Sequence, residues 1–256
     1  MKTETKSKIV QIIKKKGPIR PAELVRLLGV SPQAVHRHLN FWVSQGILER
    51  KGKPPSTQYM MADVPHFESA LNWYQSTTAT SVPNLCETRD RFAARLDHFI
   101  PLEKKGFSKG DLSLIISTSG EIGNNSFDHN MGQWKDVPGC WFEIQLTRNQ
   151  LWVSIADRGQ GIYKSISKVI TELQDEASAV KRVFEETISG RSPEKRGNGL
   201  KYVRENLSRT AGRGIACLSG SGSIYYGDLG ESCFNVLQSI PNQKFGTITL
   251  MVWALK

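Results

Sequence analysis

The net charge of this chain is gathered at one end, and that partition most constrains how the chain can fold. Residues 1–62 hold 12 Lys/Arg against 3 Asp/Glu, a balance of +9, whereas the remaining 194 residues hold 22 against 21, or +1. A basic block ahead of a neutral body implies two units, the first of them built to meet a polyanion. At 256 residues the chain is long enough for two cores. With 39% hydrophobic and 23% charged residues, neither part has the composition of a disordered or fibrous segment. No apolar run reaches the roughly 18 residues of a membrane-spanning helix, and the opening MKTETKSKIV lacks the apolar stretch of a secretory signal. Cys86, Cys140, Cys217 and Cys233 lie 54, 77 and 16 residues apart, which fits neither a zinc pattern nor a disulfide framework. Reduced thiols in a cytoplasm are therefore expected.

Punctuation divides the basic block into short helices. Ile9, Ile12 and Ile13 recur at helical spacing until Gly17-Pro18. Pro21 opens a second helix, with Leu24, Leu27 and Leu28 on one face and Gly29 at its end. Ser31-Pro32 reads as an N-cap and first-turn pair. The helix it opens runs to about Ser44, with Val35, Leu39 and Trp42/Val43 facing inward and Gly46 closing it. Two β-type runs, Ile47–Arg50 and Thr57–Met61, flank a Lys51-Gly-Lys53-Pro-Pro tip. Residues 6–62 resemble a winged helix-turn-helix DNA-binding domain, above all in LGVSPQAVHRHLNFWVSQGILERKGKPPSTQY. The resemblance implies double-stranded DNA as partner. Gln33, His36 and Arg37 would be presented to base edges, and Ser31, Lys51 and Lys53 to phosphates.

Residues 63–85 read as a connection, a helix within Asp63–Tyr74 followed by a small polar linker. Beyond it, Ser108-x-x-Asp111 is a capping signature for a helix running to about Asn130. Glu121 and Asn125 stand four residues apart on that helix, a carboxylate and an amide one turn from each other. Such a pair suits a water-activating base beside a cation ligand. Cys140–Thr147 and Leu151–Ala156 are β-type runs that Arg148-Asn149-Gln150 joins as a hairpin, the second ending in Asp157-Arg-Gly159-Gln-Gly161. Glycines permit a tight turn against a ligand and leave the carboxylate free to accept from an amino group. Further on, Gly197-Asn-Gly199-Leu200 opens another helix, where backbone N–H groups and a helix N-terminus can cradle phosphates. A closing strand follows Gly246.

In this order the three boxes resemble the GHKL (Bergerat-fold) ATPase superfamily over residues 86–256. The resemblance implies an α+β chain: a winged helix-turn-helix, then a two-layer α/β sandwich with a mixed sheet, with ATP and Mg2+ as cofactors. Asn125 would hold Mg2+ and Asp157 would read the adenine amino group. Gly159 and Gly161 would shape the pocket, and Gly197, Gly199 and Leu200 would wrap the phosphates. Glu121 matches the family's general base, and residues 162–196 its mobile lid. Asp128 would support the site without a chemical step, and His129 would pack beside it. The sequence departs from the family in Lys201, and no phosphoacceptor hairpin precedes the boxes. The chain also ends directly after its last strand, without the lysine-donating domain of gyrase- and MutL-type members, so fast autonomous hydrolysis is not expected.

Three functions follow. One is an ATP-responsive DNA-binding regulator, in which Mg2+-ATP modulates the winged helix. Another is a serine/threonine kinase like the anti-sigma kinases, with Glu121 as general base and a STAS-like protein as partner. A DNA-processing ATPase is the third. A homodimer is compatible with each.

Overall fold

A computed structural model of the chain describes residues 2–44, 48–61, 65–76, 82–170, 172–187, 198–238, 240 and 245–255. Two compact units divide it, Met1–Val64 and Pro65–Lys256.

The first unit has helices α1 (Lys2–Lys16), α2 (Pro21–Leu28) and α3 (Pro32–Ser44), then strands β1 (Leu48–Lys51) and β2 (Gln58–Met61). Its core is Ile9, Ile13, Ile19, Leu24, Val35, Leu39, Leu48 and Tyr59, drawn from every one of these elements or the turns between them. Gly29 ends α2 at φ 64°, returning its N–H to Val25 O, a conformation for which glycine is suited. Ser31 Oγ accepts from Ala34 N–H and caps α3. β1 and β2 pair from Leu48↔Met61 to Lys51↔Gln58. Ile19 adds a one-residue bridge to Tyr59, exchanging two backbone bonds of 2.9 Å. Two expected inward residues face out: Leu27 is 44% and Val43 36% exposed. A helix this short buries a narrow stripe, and Leu24 and Val35 already fill it.

The second unit is built on a six-stranded sheet in the order β3-β4-β5-β8-β6-β7. Its strands are β3 (Leu85–Cys86), β4 (Cys140–Leu146), β5 (Gln150–Asp157), β6 (Arg213–Ser219), β7 (Gly222–Tyr226) and β8 (Thr247–Ala254). Every pairing is antiparallel, so the expected mixed sheet is corrected to an antiparallel one. The last strand, β8, lies at the centre between β5 and β6. Its sequence, TITLMVWA, is apolar on both sides of the pleat, which requires cover on both faces.

That cover makes three layers where two were expected. On one face pack α5 (Arg89–Leu96), α6 (Lys109–Asp128), α8 (Glu176–Glu185) and α9 (Gly199–Ser208). Their cluster joins Phe92, Ile115, Ile122, Phe184 and Val203 to Val153, Ile155, Cys217 and Met251. On the other face lie α4 (Glu68–Gln75) and α10 (Gly230–Leu237). There Trp73, Tyr74, Cys233 and Leu237 meet Trp141, Trp152, Leu218, Leu250 and Val252. The helix foreseen within residues 63–85 thus forms, but as part of the second core rather than of a connector. α6 is capped as its sequence predicts, Ser108 Oγ accepting from Asp111 N–H at 3.0 Å.

The segment expected to be a mobile lid contains packed helices. α8 buries Ala179, Val180, Val183 and Phe184, and α7 (Gly161–Ile166) buries Ile166. Within the expected lid, residues 162–166 and 176–185 are therefore packed helices. Residues 188–197, including Lys195, Arg196 and Gly197, lie outside the described residues.

Candidate functional site

An open cleft lies between the C-terminal half of α6, the end of β5, α7 and the start of α9. Ile122, Ile155, Ile162, Ile166, Val183 and Leu200 give it apolar walls. The polar groups converging on it are Asn125, Ser126, His129, Asn130, Asp157 and Thr247. An apolar slot with a few aimed polar groups is the common form of a small-molecule site.

Asp157 dominates its electrostatics. Only 5% exposed, its carboxylate accepts from Asn130 Nδ2 (3.0 Å) and Gly159 N–H (2.9 Å) at Oδ1, and from Ser126 Oγ (3.3 Å) at Oδ2. Burial pushes its pKa up from 3.8 to about 6, and the bonds from Gly159, Ser126, Asn130 and Thr247 only partly offset that. The glycines around it are sterically required. A Cβ on Gly159 would fall on the Asn130 amide, and one on Gly246 (φ +80°) on the Asp157 carbonyl. Gly161 adopts φ +79° as β5 turns into α7. Asn130 Oδ1 then accepts from Gln160 N–H at 3.0 Å, so one amide side chain holds both the carboxylate and the turn.

Of the residues picked from sequence, Asn125, Asp157, Gly161 and Leu200 line the cleft, and Gly159 supports it from behind through Asn130. Glu121 is exposed one turn before Asn125. Its carboxylate packs against Gly199, where any Cβ would collide with it, and this brings the first box to the third. Gly197 lies outside the described residues. Asp128 turns away from the cleft to an ion pair with Arg89.

Several groups escaped the sequence reading. Asn130 and Ser126 fix Asp157, and their i, i+4 spacing across the C-terminal end of α6, with Asn130 Nδ2 also bonded to Ser126 O at 3.1 Å, is the signal that marks them. Ser165 is another, its Oγ pairing at 3.1 Å with Nδ1 of His129, which was expected beside the site and lines the cleft. Thr247 reaches the site from the far end of the chain, through a register no local pattern announces.

On the first unit, Gln33, His36 and Arg37 are exposed on α3 opposite Val35 and Leu39, and Asn40 extends the same face. Ser31, Lys51 and Lys53 are exposed beside it in sequence, and Gly52 turns the hairpin tip at φ +82°. His38 is half-buried, and burial first, then Arg37 and Lys6, lowers its pKa.

A family model described as winged helix-turn-helix DNA-binding matches residues 2–49. No match to the chain is found among curated proteins. The first unit therefore carries a winged helix-turn-helix DNA-binding domain. Among the described residues, no helix is long and apolar enough to cross a membrane.

Proposed function

We propose that the second unit is a GHKL-type ATP-binding domain and that the whole chain is a transcriptional regulator whose hold on DNA answers to Mg2+-ATP. One observation carries this reading: a carboxylate, 5% exposed, kept at the wall of an apolar cleft. Burying Asp157 costs stability that an uncharged side chain would not, so its retention fits a ligand-reading role. An apolar slot ending in a fixed acceptor suits a flat heterocycle with an exocyclic amino group. Asn125, in the same wall, brings one amide oxygen to the cleft. Mg2+ takes one or two protein oxygens and completes its shell from phosphates and water, so the residues present fit this group. Gly199 and Leu200 open α9, where backbone N–H groups suit phosphate oxygens. Bound Mg2+-ATP supplies the charge and contacts by which two states of the regulator would differ in energy.

Glu121 supports a second reading, phosphoryl transfer to a partner's hydroxyl. Its carboxylate is exposed one turn from Asn125 and against Gly199, which suits a general base serving a docked protein such as a STAS-like domain. A homodimer belongs to the same proposal, and sedimentation with and without nucleotide tests it. Calorimetric titration with Mg2+-ATP tests the shared premise: binding by the natural chain, and its loss in Asp157→Asn and Asn125→Ala. Equal binding by all three would overturn it. Label transfer abolished by Glu121→Gln would favour the kinase reading.

A further inference from the structure

The residue after Asp157 points the other way. Successive side chains of a strand alternate faces, so while Asp157 looks into the cleft, Arg158 passes to the opposite face of the sheet. It is 2% exposed there. Its guanidinium donates to Ser76 O and to Asp136 Oδ2 and lies 5.5 Å from the Trp73 ring. Ser76 follows the last turn of α4, where carbonyl groups lack helical partners and attract a cation. The other end of α4 is fastened differently. Gln145 of β4 accepts from His66 N–H and donates to His66 O, both at 2.6 Å. α4 is the first helix after the DNA-binding unit.

The short turn between the two faces is stiff. Gly159 N–H bonds Asp157 Oδ1 at 2.9 Å, Arg158 O accepts from Lys135 N–H at 2.9 Å, and Gly159 O from Gly246 N–H at 2.8 Å. A ligand drawing on the Asp157 carboxylate thus acts on a backbone segment whose next residue grips α4. We propose that Arg158 is a positioning residue coupling occupancy of the cleft to the hold on the C-terminal end of α4. This deepens, and rests on, the nucleotide reading above. It requires the Arg158–α4 contact to have two arrangements that bind ligand unequally.

Hydrogen exchange of residues 66–76 in the full chain, with and without Mg2+-ATP, tests it, with calorimetry on the same samples. In the natural chain, nucleotide should change exchange near Trp73–Ser76 by about fivefold or more. Arg158→Lys keeps the cation but loses the planar fork; it should bind nucleotide while that response disappears. Should Arg158→Lys fail to fold, Asp136→Asn, which removes a partly exposed anchor of the guanidinium, should weaken the response. Gln145→Ala frees the opposite end of α4; it should speed exchange there and leave the nucleotide response intact, which a purely structural role for Arg158 would not separate. Nucleotide binding without any exchange response in the natural chain, or a full response in Arg158→Lys or Asp136→Asn, overturns the coupling and leaves the nucleotide reading standing. Absence of nucleotide binding in the calorimeter overturns both.

Discussion

The two functional surfaces of this chain relate to their cores in opposite ways. On the winged helix, the residues proposed to meet DNA are exposed and the core residues Val35 and Leu39 lie behind them, so side-chain identity there is nearly free of folding constraint. In the cleft, the proposed reader is a buried carboxylate, and its neighbours Asn130, Gly159 and Gly246 are arranged around it at close quarters. An exposed site can be altered without touching the fold. A buried site is a compromise with the fold, and the compromise shows in its energetics.

The sharpest way to break this comparison is Asp157→Asn. Nucleotide affinity should fall roughly 100-fold, the scale of a lost charge-assisted contact, while thermal stability at pH 7.5 stays the same or rises. The amide oxygen can keep the Asn130 and Gly159 bonds, and its NH2 faces Ser126 Oγ. Differential scanning calorimetry beside nucleotide titration reads both, and a destabilised variant would contradict the assignment. Gly159→Ala should act on the fold instead, costing about 1–3 kcal/mol by overpacking against Asn130, as urea unfolding would register.

Titration of Asp157 separates fold from function by sign. Its pKa is raised on folding, from 3.8 to about 6, so its contribution favours the fold at low pH and is lost as pH rises through about 6. The swing is on the order of 3 kcal/mol between pH 4 and 7.5. In the proposed role the ionised form accepts from the nucleotide, so nucleotide affinity should weaken as pH falls below about 6. Opposed pH profiles for the stability of the free chain and for nucleotide affinity are expected, and parallel profiles would sink the role given to Asp157.

The exposed surface should behave more simply. Arg37→Ala should weaken DNA binding by about 1–3 kcal/mol with unchanged melting temperature. Smallest of all, Lys53→Ala should lower affinity evenly across DNA sequences and reduce the salt slope by about 1. Anisotropy titrations over a salt series distinguish the two.

Local chemistry was legible in the sequence where it was local. Ser31 and Ser108 announced their caps, Gly29 its helix end, and Arg148-Asn-Gln150 a hairpin whose strands pair Leu146↔Leu151. The glycine boxes marked the turns around the cleft. Residues 212–245 gave up little beyond glycine turns, because β6, β7 and α10 are short and owe their form to contacts with one another and, for β6, with β8, rather than to periodicity. The second face of the sheet was illegible for the same reason. Trp141 and Trp152 alternate with residues of the first face, and nothing local says that α4 covers them. Arg158 carries no local signal, since a buried arginine is recognisable only once its partners Ser76 and Asp136, 82 and 22 residues away, are in place.

The central claim joins the two units, and DNA affinity measured by fluorescence anisotropy with and without Mg2+-ATP, at fixed salt, tests it most directly. The natural chain should shift its affinity by about fivefold or more on adding nucleotide, and Asp157→Asn should bind DNA equally in both conditions. An affinity indifferent to nucleotide in the natural chain, or a shift that survives in Asp157→Asn, would contradict it.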